Sequence, residues 1–374
     1  MKRGLLAFGL MGLSSLFVAQ DMPLSQVLIP DEKWQLMECM FGFTDAPTAD
    51  DKGNMYLSDM NDGLYRISHN GVQDLFIKPI PGISGMKFAN DSNIIIRGGE
   101  HEHHANYFPW LRLGGKIDVR SLPVDENGGF TDSDFKKMLD KKTKLVALSH
   151  GLYNSGLILP VMEIGEQLQK QNIPYFLDTA QTVGCIGDYD FANTGCDFMS
   201  FNGSKWLCGP MGTGVFYCKR ESSDLLEPLS IGGESAETDT NNELAYKELP
   251  DKFQTGFRNY VGLAGMVSSV TLLQNFGLDN IRKHIIKLSN LFIDEIGKIS
   301  ESRVFGPENE AERTSIVSFE IGKSDPEKIV SVLAEKGIII AKREIYEKPV
   351  LRISPHVFNT ENEILRLVEE LKKL

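Results

Sequence analysis

Residues 175–217 read YFLDTAQTVGCIGDYDFANTGCDFMSFNGSKWLCGPMGTGVFY, and two short apolar runs in this segment each lead to a charged side chain. Tyr175–Leu177 is followed directly by Asp178, and Phe198–Phe201 leads into a glycine-rich segment that contains Lys205. Short apolar runs are typical of the buried strands of a parallel sheet. Open α/β sheets bind ligands at the carboxyl ends of such strands. We therefore expect the Asp178 carboxylate and the Lys205 amine to lie near each other at one edge of a sheet.

A carboxylate and a lysine amine in this arrangement suit one cofactor. Pyridoxal 5′-phosphate binds covalently to a lysine through its aldehyde. A carboxylate beside its pyridine nitrogen keeps that nitrogen protonated, so that the ring accepts electrons from a substrate carbanion. Lys205 and Asp178 are the residues predicted for these two roles. On spacing alone, a solvated surface pair is the alternative interpretation.

The neighbouring residues favour the cofactor site. The motifs DTAQ (178–181) and GSKWLCGP (203–210), with Gly212 and Gly214 after them, resemble the class V aminotransferases. That family includes cysteine desulfurases, selenocysteine lyases, kynureninases and isopenicillin-epimerase-like enzymes. The resemblance begins near Asn93 and runs to the end of the chain. It implies the fold of type I pyridoxal-phosphate-dependent transferases: an α/β fold with a mixed, mostly parallel sheet, flanking helices and an α/β small domain.

The segment EHEHHAN (100–106) contains three histidines. Consecutive residues of a loop rarely all face one metal ion, and no distant cysteine or histidine cluster completes a site, so no metal is predicted. In the family's Glu-His-His-Ala-Asn motif the first histidine stacks on the pyridine ring, which implies this role for His103. Glu100-His101 is an extra copy of the Glu-His pair, and it leaves the register open by two residues.

The resemblance implies further contacts to the cofactor. Gln181 is expected to donate a hydrogen bond to the phenolic oxygen and thereby to influence the pKa of the lysine adduct. Asn154 is expected at the same oxygen or at the substrate carboxylate, although Tyr153 occupies the usual position. Ser204 replaces a histidine and is a candidate phosphate contact. Thr255 lies in a segment that in the family reaches a partner subunit's phosphate, which implies a homodimer.

The C-terminal part carries the predicted substrate site. Within LRISPH (351–356), Arg352 matches the family arginine that binds the substrate α-carboxylate through two parallel hydrogen bonds; an edge-strand surface arginine is the alternative. Desulfurases present a cysteine from a loop just before this arginine. Here that loop, AKREIYEKP (341–349), has no cysteine, so a persulfide-forming step is not expected. A lyase, hydrolase, epimerase or transaminase reaction on a small amino acid, with Lys205 as proton shuttle, remains open.

The first part of the chain has a different sequence pattern. Residues 1–20 resemble a signal-like leader, with Lys2-Arg3 before an uncharged stretch too short for a stable membrane span. Residues 21–92 alternate short strands with tight turns, which predicts a short β-meander. This meander resembles one blade of a gluconolactonase/regucalcin-like propeller, which needs about four or more blades to close. A lactone hydrolase is the third hypothesis, behind the pyridoxal-phosphate-dependent enzyme and a non-catalytic fusion.

The fusion hypothesis follows from a missing motif. The family holds the cofactor phosphate on a Gly/Ser-Thr-Thr loop at a helix N-terminus, and no such loop occurs between Met1 and Asn93. The core would then keep its fold but bind the cofactor weakly. From Asn93 on, the predicted domains are a cofactor-binding domain (93–232), a helical continuation with the dimer segment (233–300) and a small domain (301–374).

Composition limits the partners and leaves the compartment open. The 374 residues carry a formal net charge of −12, which argues against binding to nucleic acid phosphates. The five cysteines suit a reducing compartment. The leader instead favours export to the periplasm or the outside of the cell, and we give the leader more weight. A cytoplasmic location is the alternative.

Overall fold

The computed structural model describes five N-terminal strands between residues 44 and 86, and residues 94–374 apart from 114–116 and 323. The chain forms two compact units, Met1–Gly82 and Ile83–Leu374. The predicted leader lies outside the described residues.

The first unit contains the predicted β-meander. Its four strands pair in chain order as an antiparallel sheet: β1 (Thr44–Ala49), β2 (Met55–Asp59), β3 (Gly63–Ile67) and β4 (Gln73–Ile77). Turn-forming residues such as Asn61-Asp62-Gly63 separate apolar runs here, and such residues favour hairpins. The meander is confirmed, whereas its likeness to a propeller blade stays a prediction.

A six-stranded sheet forms the centre of the second unit. Its strands are β6 (Ile94–Arg97), β7 (Asp118–Ser121), β8 (Thr143–Ser149), β9 (Tyr175–Asp178), β10 (Phe198–Asn202) and β11 (Gly214–Cys218). They lie in the order β11-β10-β9-β8-β6-β7, and every pair is parallel except β10 with β11. The mixed, mostly parallel sheet predicted from the apolar runs is confirmed. Ser149, Asp178 and Ser200 lie side by side in register.

Helices and short strands surround this sheet. The helices are α1 (Phe108–Leu111), α2 (Asp132–Met138) and α3 (Val161–Lys170). α3 is amphipathic and buries Val161, Ile164 and Leu168 in the core beside the strands. The short strands are β5 (Gly85–Met86), which pairs with β12 (Leu226–Glu227), and β13 (Ala236–Thr238), which pairs with β14 (Leu244–Tyr246).

Two longer helices lead to the C-terminal part: α4 (Tyr260–Phe276) and α5 (Leu278–Ile296). They are separated by Gly277, whose φ of +84° is readily adopted only by glycine. No single helix in the described ranges is long and apolar enough to cross a membrane. α4 and α5 pass that test only together, and the chain bends by 80° between them.

The C-terminal part is a four-stranded antiparallel sheet backed by helices. Its elements are β15 (Ser302–Phe305), β16 (Val317–Ile321), α6 (Pro326–Glu335), β17 (Ala341–Ile345), β18 (Lys348–Ile353) and α7 (Glu361–Leu371). The predicted loop 341–349 is wrong, because β17 begins at Ala341 and forms a hairpin with β18. The turn uses Tyr346 and Glu347 at φ of +48° and +61°, a conformation more usual for Gly or Asn.

Candidate active site

The structure brings Asp178 and Lys205 to the same edge of the central sheet. Asp178 ends β9, and its Oδ1 accepts a hydrogen bond from the Ala180 amide at 2.9 Å. Lys205 lies in the turn after β10. Burial raises the pKa of Asp178 and lowers the pKa of Lys205, and the attraction between their opposite charges offsets part of each change. The predicted pair is thus a half-buried, interacting pair rather than a solvated one.

Close backbone packing holds the lysine turn. The Gly209 amide donates to the Gly203 carbonyl at 2.8 Å, and the Cys208 amide donates to the Lys205 carbonyl at 3.0 Å. A Cβ on Gly203 would lie 2.3 Å from Thr213 Oγ1. The turn therefore needs glycine at this position, and it fixes the direction in which Lys205 leaves the backbone.

A cavity of about 380 Å³ opens beside this turn. Its lining is formed by Gln181, Ser204, Lys205, Trp206, Cys208, Gly209, Arg352, Ser354, His356 and Phe358. The indole Nε1 of Trp206 donates to Gln181 Oε1 at 3.0 Å. Because an indole only donates, the Gln181 amide must turn its oxygen to Trp206, and its NH₂ group stays available as a donor. The structure thus places Gln181 and Ser204 on the cavity that contains Lys205.

The two Glu-His copies occupy different places. His103 Nδ1 accepts from the Ala105 amide at 3.1 Å, and its ring meets the Tyr153 ring edge-on at 5.0 Å between centroids. Burial first, and then the positive charge of Lys205, lower the pKa of His103 to about 4. His103 is therefore a neutral ring close to the lysine at pH 7. The histidine near Lys205 is thus the one in the second Glu-His pair, Glu102-His103.

His101 is instead part of the protein interior. Its Nδ1 lies 2.9 Å from Asn154 Oδ1, and its ring contacts the Tyr346 ring edge-on at 5.5 Å between centroids. Asn154 Oδ1 also accepts from the Ser155 amide at 2.9 Å, and Asn154 Nδ2 donates to the Glu344 carbonyl at 2.9 Å. Protein groups thus engage both ends of this amide, and the predicted contact of Asn154 to the cofactor or the substrate carboxylate stays a prediction.

Thr255 lies apart from the cavity within this chain. Its hydroxyl donates to the Ser230 carbonyl at 3.4 Å, and it is not among the residues that line the cavity. Its predicted contact is to a partner subunit's phosphate, so that contact stays a prediction.

Arg352 reaches the cavity from β18. Its Nη1 donates to the Tyr153 carbonyl at 2.7 Å, while its buried Nε has no partner within the described residues. Burial and the neighbouring Arg343 lower the pKa of Arg352 to about 10. An unpaired buried guanidinium N–H is costly in the free protein. A carboxylate placed here would satisfy it.

Arg343 is the residue that sequence reasoning missed. Ala341 is the register partner of Arg352, so Arg343, two residues further along β17, lies on the same face of the hairpin. Its charge also contributes to the lowered pKa of His103. The alternation in AKREI was the available signal, but it assigns a face only once the hairpin turn is known.

These residues fit pyridoxal phosphate. Lys205 is half-buried and interacts with Asp178, Asp178 has a second carboxylate oxygen beyond the Ala180 bond, and a neutral His103 ring is available to cover an aromatic face. Arg352 offers its unpaired Nε to a substrate carboxylate. At the phosphate end Ser204 is the candidate donor. No group of three or more metal-ligating side chains occurs in the part of the chain that the structure describes.

Comparisons with known proteins agree with this site and fold. The structure is similar to the apo cysteine desulfurase of Thermococcus onnurineus NA1, with a TM-score of 0.71 and 26% identity over 76% of this chain and 73% of that chain. It is also similar in fold to the cystine C–S lyase C-DES in complex with cysteine persulfide, with a TM-score of 0.69 and 24% identity over 78% and 77% of the two chains. The molecule thus has the fold of type I pyridoxal-phosphate-dependent enzymes.

Sequence relatives give the family. Residues 82–367 match the family described as aminotransferase class-V. A probable cysteine desulfurase of Methanothermobacter thermautotrophicus is 30% identical over 305 residues, covering 78% of this chain and 75% of the relative. Another from Pyrococcus abyssi is 30% identical over 356 residues, covering 86% of each. The chain therefore belongs to the class V aminotransferases, a family of pyridoxal-phosphate-dependent enzymes, and the predicted fold, enzyme class and cofactor are confirmed.

Proposed function

We propose that this protein is a pyridoxal-phosphate-dependent lyase that acts on a small, sulfur-containing α-amino acid. The observation that carries the proposal is the placement of Lys205 and Arg352 on one cavity, with Asp178 interacting with the lysine from the sheet edge. This arrangement provides an amine for a cofactor aldehyde, a carboxylate for its pyridine nitrogen and a guanidinium for a substrate carboxylate.

When bound, pyridoxal phosphate supplies the electron sink for the substrate carbanion. Lys205 Nζ holds and moves the proton at the substrate Cα, a task helped by its lowered pKa. Asp178 keeps the pyridine nitrogen protonated, and the neutral His103 covers the ring. The free NH₂ of Gln181 donates to the ring oxygen. Arg352 binds the α-carboxylate, and Arg343 adds a second positive charge beside it.

The β17–β18 hairpin, which carries Arg352, favours elimination over sulfur transfer to the protein. A desulfurase needs a thiol there, but β17, β18 and their tight turn contain no cysteine. Several relatives are cysteine desulfurases by name, and C-DES is a cystine C–S lyase. Those names support a sulfur amino acid as substrate. The absent thiol supports its β-elimination, which releases the sulfur group and yields pyruvate and ammonia.

Borohydride reduction of the cofactor-loaded protein, followed by peptide mapping, tests this proposal. We expect the modification on Lys205, a visible absorption band that Lys205→Ala abolishes, and pyruvate from cysteine or cystine. Lys170→Ala, at the end of α3, is the matched control and should keep both signals. A colourless protein, or a label on another lysine, would end the proposal. Alanine as the main product would replace elimination by desulfuration.

A second candidate is a core that keeps the fold but binds the cofactor weakly. The sequence observation that favours it is the missing Gly/Ser-Thr-Thr loop before Asn93. A cofactor titration followed by visible absorption distinguishes the two. Half-saturation only at millimolar cofactor, with a normally folded circular-dichroism spectrum, would favour this candidate.

The proposed enzyme is a homodimer whose interface includes α4. Large apolar side chains on and just before this helix are exposed, among them Phe257 (97%), Val261 (86%) and Val267 (66%). Several large apolar side chains exposed on one helix favour an interaction site there. Light scattering should give twice the monomer mass for the parent protein and a monomer for Val261→Glu/Val267→Glu. A monomeric parent protein would contradict the dimer.

A further inference from the structure

Glu102 is a buried carboxyl group beside the proposed cofactor site. Its side chain is 3% exposed and accepts a hydrogen bond from the Ser149 amide at 3.1 Å. The Ser149 hydroxyl also donates to it. No lysine, arginine or histidine forms an ion pair with Glu102 within the described residues. A buried carboxylate without a cation is costly, whereas a neutral carboxylic acid in hydrogen bonds is not.

The backbone leaves space for this carboxyl group. A Cβ on Gly98 would lie 2.4 Å from Glu102 Oε2, so the loop approaches the carboxyl closely where Gly98 has no side chain. The Ser149 partner ends β8, and Ser149 is the register neighbour of Asp178 on β9. Glu102 thus joins the loop that carries His103 to the strand end next to Asp178.

Two carboxyl groups therefore share this edge of the sheet. Burial first, with Asp178 adding to it, raises the pKa of Glu102 to about 7. Asp178 differs because the Ala180 amide and Lys205 both stabilise its charged form. When two nearby carboxyls compete, the better compensated one carries the charge.

The other titratable groups that face Glu102 do not neutralise it. They are Arg97, Tyr153 and Tyr175. Arg97 Nη1 donates to the Gly98 and Gly99 carbonyls at 2.9 and 3.0 Å, and its guanidinium lies 3.7 Å from the Tyr107 ring centroid. Its donors thus point to backbone oxygens, and the two tyrosines are neutral at pH 7.

We propose that Glu102 is a positioning residue of the active site: as a neutral acid it fixes the His103 loop to the end of β8 and leaves the negative charge on Asp178. This inference depends on the proposed function, in which His103 and Asp178 contact the cofactor. Ionisation of Glu102 puts a second, uncompensated charge at the sheet edge and loosens the His103 loop. The cofactor then binds less tightly as the pH rises.

The test is the dissociation constant of pyridoxal phosphate between pH 5.5 and 9, for the parent protein and three variants. In the parent protein we expect the constant to rise about tenfold as Glu102 ionises around pH 7. Glu102→Gln, a neutral isostere, should remove this rise. Glu100→Gln, the exposed glutamate two residues earlier, should retain it. Ser149→Ala should move its midpoint to higher pH, because the hydroxyl bond stabilises the charged form.

A rise that persists unchanged in Glu102→Gln, or that disappears equally in Glu100→Gln, would overturn the inference. The thermal unfolding midpoint of the apo protein gives the same comparison without cofactor. Between pH 4.5 and 7 the midpoint should fall more in the parent protein than in Glu102→Gln, and equal slopes would overturn the inference too. If the parent protein fails to load at Lys205, the proposed function fails, while this apo comparison still decides the state of Glu102.

Discussion

Glu100-His101 and Glu102-His103 are the same dipeptide, two residues apart, with opposite environments. In the first copy the glutamate is exposed and the histidine is buried against Asn154. In the second copy the glutamate is buried against Ser149, and the histidine lies close to Lys205. The histidine of the first copy therefore belongs to the protein interior, and the histidine of the second copy faces the candidate active site.

The difference teaches that residue type alone does not assign a role here. His101 contacts the Asn154 oxygen 53 positions away in the chain, and Glu102 accepts from Ser149, 47 positions away. Asn154 and Ser149 come within hydrogen-bond distance only when β8 and the loop after it pack against residues 98–106. The function of each histidine is thus set by contacts that are distant in sequence.

The largest expected contrast is between His103→Ala and His101→Ala. Loss of the ring that covers the cofactor should lower kcat/KM on the order of a hundredfold, with little change in stability, because a misplacement of reacting groups by about 1 Å can cost that much. His101→Ala should instead destabilise the fold by about 1–3 kcal/mol, because the Asn154 oxygen loses a buried partner, and should keep measurable turnover. Steady-state kinetics and urea unfolding measure the two effects. If His101→Ala instead lowered kcat/KM and His103→Ala instead lowered stability, His101 rather than His103 would be the residue that stacks on the cofactor.

The pH dependence of stability should separate Glu102 from Glu100. The folded-state pKa of Glu102 is about 7, above its ordinary value of 4.5. Between these values the folded protein holds a proton that the unfolded chain has lost, so the contribution is complete below about pH 4.5. It falls by about 3 kcal/mol by pH 7. Urea unfolding of Glu102→Gln should lack this fall, whereas Glu100→Gln should show it. His103 acts in the opposite direction, so only the difference between variants is informative.

Gly98→Ala tests the space that the second copy requires. The added methyl meets the Glu102 carboxyl oxygen, and we expect a loss of about 1–3 kcal/mol in unfolding free energy. The loss should shrink in a Glu102→Ala background, since the two residues share the contact. Gly233→Ala is the control because a Cβ there meets nothing within 4 Å. Full additivity of the double variant would show that the contact is not the cause.

The smallest effect is expected at Tyr346, which contacts the histidine of the first copy. Its hydroxyl donates to the Val124 carbonyl, and its ring packs against His101. Tyr346→Phe keeps the ring contact and should cost about 0.5–1.5 kcal/mol of stability, without changing cofactor affinity. A changed affinity would place the hairpin turn in the active site.

Much of the fold could be predicted because its signals are local. The buried strands β8, β9 and β10 are short apolar runs, and their ends place Asp178 and Lys205 on one edge. The meander follows from its turn residues. The β17–β18 hairpin was missed because its turn uses Tyr346 and Glu347 in place of Gly or Asn, so nothing in the pattern marked it. Without that hairpin, Arg343 could not be assigned to the face of Arg352.

The sequence by itself determined the sheet, the lysine turn and the pair of groups that a pyridoxal cofactor needs, because strand burial and glycine turns depend on residues close together in the chain. Only the tertiary structure decided which Glu-His copy faces Lys205, that Asn154 is engaged by His101 and Glu344, and that Glu102 is buried beside Asp178. Those outcomes depend on burial and on partners about 50 to 190 residues away, and burial and charge at a site are properties of packing rather than of local pattern.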